Sequence, residues 1–162
     1  MILLNSILVA TDFSEPSHNA LVYGRNLART FGAKLHVLHV ADAIATSAAQ
    51  FYPEGSGDPE AKAEALALSQ LQALLSVDTS GPTAIPAVRV SPSPAKAIVD
   101  YAKQRHVDII IVATNGRSGV SRLLLGSVAE QVVRNAPCPV LVVRENEHEF
   151  VVPEPFTIAT RI

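Results

Sequence analysis

The sequence predicts an α/β fold: a doubly wound, five-stranded parallel sheet with helices on both faces. Three observations point there. Five short, largely apolar runs are rich in β-branched residues, with lengths that suit strands buried on both faces. Four stretches between them carry apolar residues at helical spacing. Strand and helix then alternate along the chain, an order that implies right-handed crossovers and a parallel sheet.

The strands are expected at residues 7–10, 35–40, 85–90, 109–113 and 140–143. In the first helical stretch Ala20, Gly24, Leu27, Ala28 and Phe31 share a face, and Gly32 supplies the stop. In the second, Ala65, Leu68, Leu71 and Leu75 do so, and Asp58-Pro59 places a capping carboxylate before a proline at the first helical position. Ser93-Pro94 repeats that start for the third, where Ile98, Tyr101, Ala102 and the stem of Arg105 form the row. The fourth aligns Leu125, Val128, Ala129, Val132 and Ala136, with Asn135-Ala136-Pro137 as its stop. Its start, Ser127-Val128-Ala129-Glu130, has the spacing of a capping box with Ser127 at the cap. A turn-rich connection covers residues 41–58, and residues 145–162 form a tail.

Composition narrows the functional classes. Of 162 residues, 48% are hydrophobic and 17% charged, enough for one domain. Domains of this size bury roughly 68–70% of their unfolded surface. No apolar run approaches the ~20 residues a spanning helix needs. The start, MILLNSILVATDF, lacks a basic n-region and leads directly into a strand, so no signal peptide is expected. A net charge of −2 without a basic cluster argues against a nucleic-acid surface. The single cysteine, Cys138, allows no internal disulfide and suits a reducing compartment. A cytoplasmic protein is the expectation.

In open parallel sheets the ligand crevice lies beyond the carboxyl ends of the strands, where strand order reverses. Two strand ends carry unusual chemistry. The first runs Ala10-Thr11-Asp12-Phe13-Ser14, and the fourth runs from Val112-Ala113 into a loop with Gly116, Arg117, Gly119 and Arg122 that closes on Gly126-Ser127. If those strands are neighbours, Asp12 and the glycine loop share one crevice. Amides at a helix start, together with the macrodipole, favour an anion. The glycines could equally do no more than shape a turn, with Ser127 a cap and the arginines solvated. Ser14 stands one residue before Glu15-Pro16 and is the better cap for the first helix, which leaves Asp12 free to accept from an adenine amino group or a ribose hydroxyl. No G-x-G-x-x-G, Walker loop or nucleophile elbow is present. His36 and His39 lie three apart on one strand and face opposite ways.

The segments ILVATDFSEPS, LHVLHV and IIIVATNGRSGVSRLLLGSVAEQVVRNAPCPVLVV together resemble the universal stress protein family. The likeness covers a domain at residues 1–144. The family's nucleotide motif is Gly, two residues, Gly, nine residues, Gly, then Ser or Thr. Gly116, nine residues and Gly126-Ser127 fit it, with Ala113 in place of the first glycine. A left-handed backbone at that place would cost alanine roughly 1–2 kcal/mol, whereas a requirement for a small side chain would be met. By position, the resemblance implies that Asp12 and the backbone at Val40 read adenine, with Ala10 and Thr11 lining that side. Val112, Ala113 and Gly116 would pass beneath the ribose and phosphates; Arg117 and Arg122 of the same loop could, on their charge alone, add to the attraction. Gly126, Ser127 and Val128 would hold the phosphate chain. The implied ligand is ATP, with Mg2+ held by the phosphates. The implied function is a nucleotide-binding regulator of the stress response, acting as a homodimer through Val140, Leu141, Val142 and Val143. The tail could dock on the partner subunit. A slow ATPase and an interaction module without nucleotide are the alternatives. No catalytic residue and no metal ligand of the chain's own is expected, and neither a nucleic-acid nor a membrane partner.

Overall fold

The computed structural model describes residues 1–42, 58–77, 83–114 and 126–144. The elements run β1 Ser6–Thr11, α1 Glu15–Phe31, β2 Lys34–Ala41, α2 Pro59–Ser76, β3 Ala84–Val90, α3 Pro94–Gln104, β4 Ile109–Ala113, α4 Ser127–Asn135 and β5 Val140–Val143. The five strands form one sheet in the order β3-β2-β1-β4-β5, and every adjacent pair is parallel. The chain winds outward from β1 to β3, then returns to place β4 on the other side of β1. Strand order therefore reverses between β1 and β4, where Ile7 pairs with Ile109 and Val9 with Ile111.

Alternation along the strands divides the core in two. Ile7, Val9, Leu35, Val37 and Ile111 pack against α1 and α2 through Ala20, Leu21, Ala28, Ala67 and Leu71. On the other face Leu8, Leu38, Ile110 and Val112 pack against α3 and α4 through Ile98, Tyr101, Ala102, Ala129 and Val132. Ile7, Leu8 and Val9 are wholly excluded from solvent, and each such side chain contributes about 1.5–3 kcal/mol of transfer free energy. The central strand is thus the most buried element, and its end opens toward the crevice.

The helix rows need several corrections. Phe31 is 37% exposed, because Gly32 ends α1 in a left-handed conformation (φ 64°) immediately after it. On α2, Ala65 is exposed while Ala67 and Leu71 are buried, since the helix covers the margin of the sheet with a narrow stripe. Leu125 lies outside the described residues. Asp58 caps α2 as expected, accepting from the Glu60 N–H at 3.0 Å. Ser93 occupies the cap of α3 without a side-chain cap bond, and its own N–H donates to Ser91 Oγ at 3.1 Å.

The capping box at α4 does not form either. Gly126 is the cap, and Ser127 is the first helical residue. The Glu130 N–H donates to the Gly126 carbonyl at 2.9 Å, and no side chain caps the helix. A tertiary bond decides the boundary: the Gly126 N–H donates to the Thr114 carbonyl at 2.7 Å, tying the helix start to the end of β4.

Candidate functional site

Where β1 and β4 part company, a cavity of about 350 Å³ opens at the carboxyl end of the sheet. Its floor comes from Ala10, Thr11 and Asp12 after β1, and from Val112, Ala113 and Thr114 after β4. Leu38 and Val40 of β2 form a side wall with Pro94 and Ile98 of α3. Gly126, Ser127, Val128 and Ala129 close the far side at the start of α4, and Ser17 of α1 completes the lining. A volume in this range suits a small-molecule ligand.

Nine of the residues singled out in the sequence therefore share one cavity: Ala10, Thr11, Asp12, Val40, Val112, Ala113, Gly126, Ser127 and Val128. Gly116 and Arg117, with Gly119 and Arg122, lie outside the described residues. Ser17, Leu38, Pro94, Ile98, Thr114 and Ala129 were missed. Leu38 carried a usable signal, since it precedes Val40 by two and must share its face. Pro94 and Ile98 stand one helical turn apart, a second readable signal.

The β1–α1 turn is closely bonded. Asp12 Oδ1 accepts the Ser14 N–H at 3.0 Å and also the Ser14 hydroxyl. This corrects the expectation that Ser14 would leave Asp12 free: Ser14 caps α1 at the Ser17 N–H and bonds Asp12 as well. The Phe13 N–H donates to Thr11 Oγ1 at 3.1 Å. The Ser17 hydroxyl donates to the Ser14 carbonyl at 2.8 Å, so the 3.0 Å contact between Thr11 Oγ1 and Ser17 Oγ uses the Thr11 proton. His39 Nδ1 donates to the Thr11 carbonyl at 2.9 Å, because a carbonyl can only accept.

Ala113 ends a regular strand, and it is not among the described non-glycine residues with positive φ, which are Phe13 and His106. The left-handed penalty does not apply to it. Its methyl packs toward the α1 face beside Ile109 and Ile111.

The amino end of α4 lines the same cavity as Asp12. The first amides of any α-helix lack intrahelical acceptors, and the macrodipole adds partial positive charge there. Ser127 is exposed at this rim. The walls between are apolar: Leu38, Val40, Ile98 and Val112. Such a site can take a flat, largely apolar group between its walls, a hydrogen-bond donor at Asp12 and an anion at α4.

Among the described residues, no group of three or more His, Cys, Asp or Glu is placed to hold a metal ion. No described helix is long and apolar enough to cross a membrane. At the sheet margin β5 is partly buried, with Val143 alone fully covered.

The universal stress protein family model matches residues 4–144. Universal stress protein MJ0531 of Methanocaldococcus jannaschii is 34% identical over 150 residues, covering 91% of this chain and 86% of that protein. Universal stress protein YxiE of Bacillus subtilis is 33% identical, covering 88% of this chain and 100% of its own. Among solved structures, the hypothetical protein MJ0577 superimposes with a TM-score of 0.71 at 27% identity, over 91% of this chain and all of that one. Two more distant structures share the fold and hold nucleotides. One is a universal stress protein in complex with cAMP (TM-score 0.58, 24% identity, 88% of this chain and 98% of that one). The other, from Archaeoglobus fulgidus, is in complex with dAMP (TM-score 0.61, 23% identity, 88% and 99%). On the family match and these identities, the chain belongs to the universal stress protein family.

Proposed function

We propose that the protein binds an adenine nucleotide, ATP with Mg2+ on its phosphates, in the cavity between β1 and β4, and that it acts as a regulatory homodimer. The observation that carries this reading is that Asp12 and the amino end of α4 line one cavity. Asp12 and the backbone at Val40 take the adenine, with Ala10 and Thr11 beside them. Val112, Ala113, Gly116 and Arg117 run beneath the ribose and phosphates. Gly126, Ser127 and Val128 receive the phosphate chain. The cAMP and dAMP held by two proteins of the same fold support an adenine mononucleotide core as the ligand class. The regular strand backbone at Ala113 supports binding over a lapsed site.

The dimer reading rests on β5, a short apolar strand at the sheet margin that a second copy would cover. Thermal unfolding with and without Mg-ATP tests the ligand. At a hundredfold excess over the dissociation constant, binding stabilises by about 2.7 kcal/mol, which raises the midpoint by roughly 5–10 °C. No shift at millimolar Mg-ATP, Mg-AMP or cAMP would overturn the assignment. Sedimentation showing only monomer at micromolar concentration would overturn the dimer.

A further inference from the structure

Phe13 sits between Asp12 and Ser14 with φ of 65°, a region that bulky side chains seldom occupy. Its ring faces the imidazole of His39, with centroids 4.4 Å apart and planes at 35°. The ring also packs against the core on the α1 face. His39 is the register neighbour of Thr11 on β2, and it donates to the Thr11 carbonyl. The residue before Asp12 and the residue after it are thus both tied to the same imidazole.

Only three residues, 12–14, convert β1 into α1. Asp12 Oδ1 holds both the amide and the hydroxyl of Ser14. The left-handed residue in this closed turn is Phe13. Glycine would adopt that conformation freely. Phenylalanine keeps it only where the surroundings over-determine it, and the ring contact and core packing supply that constraint. The result is that neighbouring side chains diverge: Phe13, partly buried, packs against the core on the α1 face, and Asp12 lines the cavity.

We infer that Phe13, stacked on His39, is a positioning residue that fixes Asp12 on the cavity wall and thereby sets a preference for adenine over guanine. The inference rests on the adenine-nucleotide reading above. At C6 adenine carries an amino group, a donor to a carboxylate, where guanine carries a carbonyl oxygen that a carboxylate repels. The preference holds with the C6 edge of the base, rather than guanine's N1–H and 2-amino donors, turned to Asp12. A carboxylate held in one place enforces that difference. One on a loosened turn swings aside and tolerates both bases.

Calorimetric dissociation constants for Mg-ATP and Mg-GTP, measured on the wild type, Asp12→Ala, Phe13→Gly, Phe13→Tyr and His39→Leu, test this. The GTP-to-ATP ratio of dissociation constants is expected to fall about tenfold in Phe13→Gly and His39→Leu, the scale of one hydrogen bond lost. It should approach the Asp12→Ala value in both, while Phe13→Tyr, which keeps the ring, retains the wild-type ratio. Equal weakening of both nucleotides, with the ratio unchanged, would reduce Phe13 to a structural residue and overturn the inference. A ratio unchanged in Asp12→Ala would overturn it as well. Should Phe13→Gly fail to fold, His39→Leu decides alone. A wild type that binds neither nucleotide would overturn the adenine-nucleotide reading itself, a different outcome from a wild type that binds ATP while its variants keep their ratio.

Discussion

The amide of Gly126 donates to the carbonyl of Thr114 at 2.7 Å, and the same glycine leaves no room for a Cβ, which would run into that carbonyl oxygen. Its φ of −58° is open to any residue, so contact rather than conformation requires glycine here. Gly126→Ala is expected to destabilise the fold by about 1–3 kcal/mol, the usual range for forcing an extra carbon into a packed site. Urea denaturation measures this, and an unchanged midpoint would mean that the helix start yields freely.

Gly24 holds α1 close to the sheet. A Cβ there would collide with Val9 Cγ2 and come within 3.3 Å of Leu35 Cδ1. Alanine improves helix propensity by about 1 kcal/mol, but overpacking costs about 1–3 kcal/mol. Val9 is fully buried, β-branched and stiff, so the collision should win. Gly24→Ala is expected to lower the denaturation midpoint; a raised midpoint would contradict this packing.

His36 is buried, and its Nδ1 lies 2.9 Å from the Tyr101 hydroxyl. Burial lowers its pKa from the ordinary 6.5, and the charges of Arg105 and Lys34 push in the same direction. The folded state thus prefers the neutral ring, and the unfolded chain protonates first as pH falls. Stability from this group is full above about 6.5 and is lost below it. His36→Gln should flatten the decline in stability between neutral and acid pH, read as denaturation midpoints across that range. An identical slope in the variant would exclude His36 as its source.

Cys138 is half-buried, and burial followed by the charge of Asp108 raises its thiol pKa above the ordinary 9.0. The thiolate is the reactive form. Alkylation by iodoacetamide at pH 8 should therefore run several-fold slower in the folded protein than in urea. Equal rates would show the thiol to be open and ionised.

The strands were legible because parallel strands buried on both faces are largely apolar, as 109–113 is throughout and 35–40 is apart from His36 and His39. The crevice was legible because its chemistry sits at strand ends, where Asp12 and Gly126 break the apolar pattern. Three details escaped: two because a contact distant in sequence outweighed a local preference, and one because the local β1–α1 turn closes on itself. Ser127 lost the cap of α4 when Gly126 bonded to Thr114. The free carboxylate expected at Asp12 is engaged by Ser14. Left-handed Phe13 depends on His39, twenty-six residues away, and no local propensity announces it.

The adjacency of β1 and β4 carries a consequence for how the protein matures. Asp108 accepts from the amides of Asn5 and Ser6, closing a span of about a hundred residues at the base of the two strands. A nascent chain that has emerged only through β3 owns half of a crevice and nothing to shut it, and contacts of such long sequence separation form late. Occupancy of the cavity would accordingly report that β4 and α4 have joined β1, and a ligand present during synthesis would reward only chains that have reached that point.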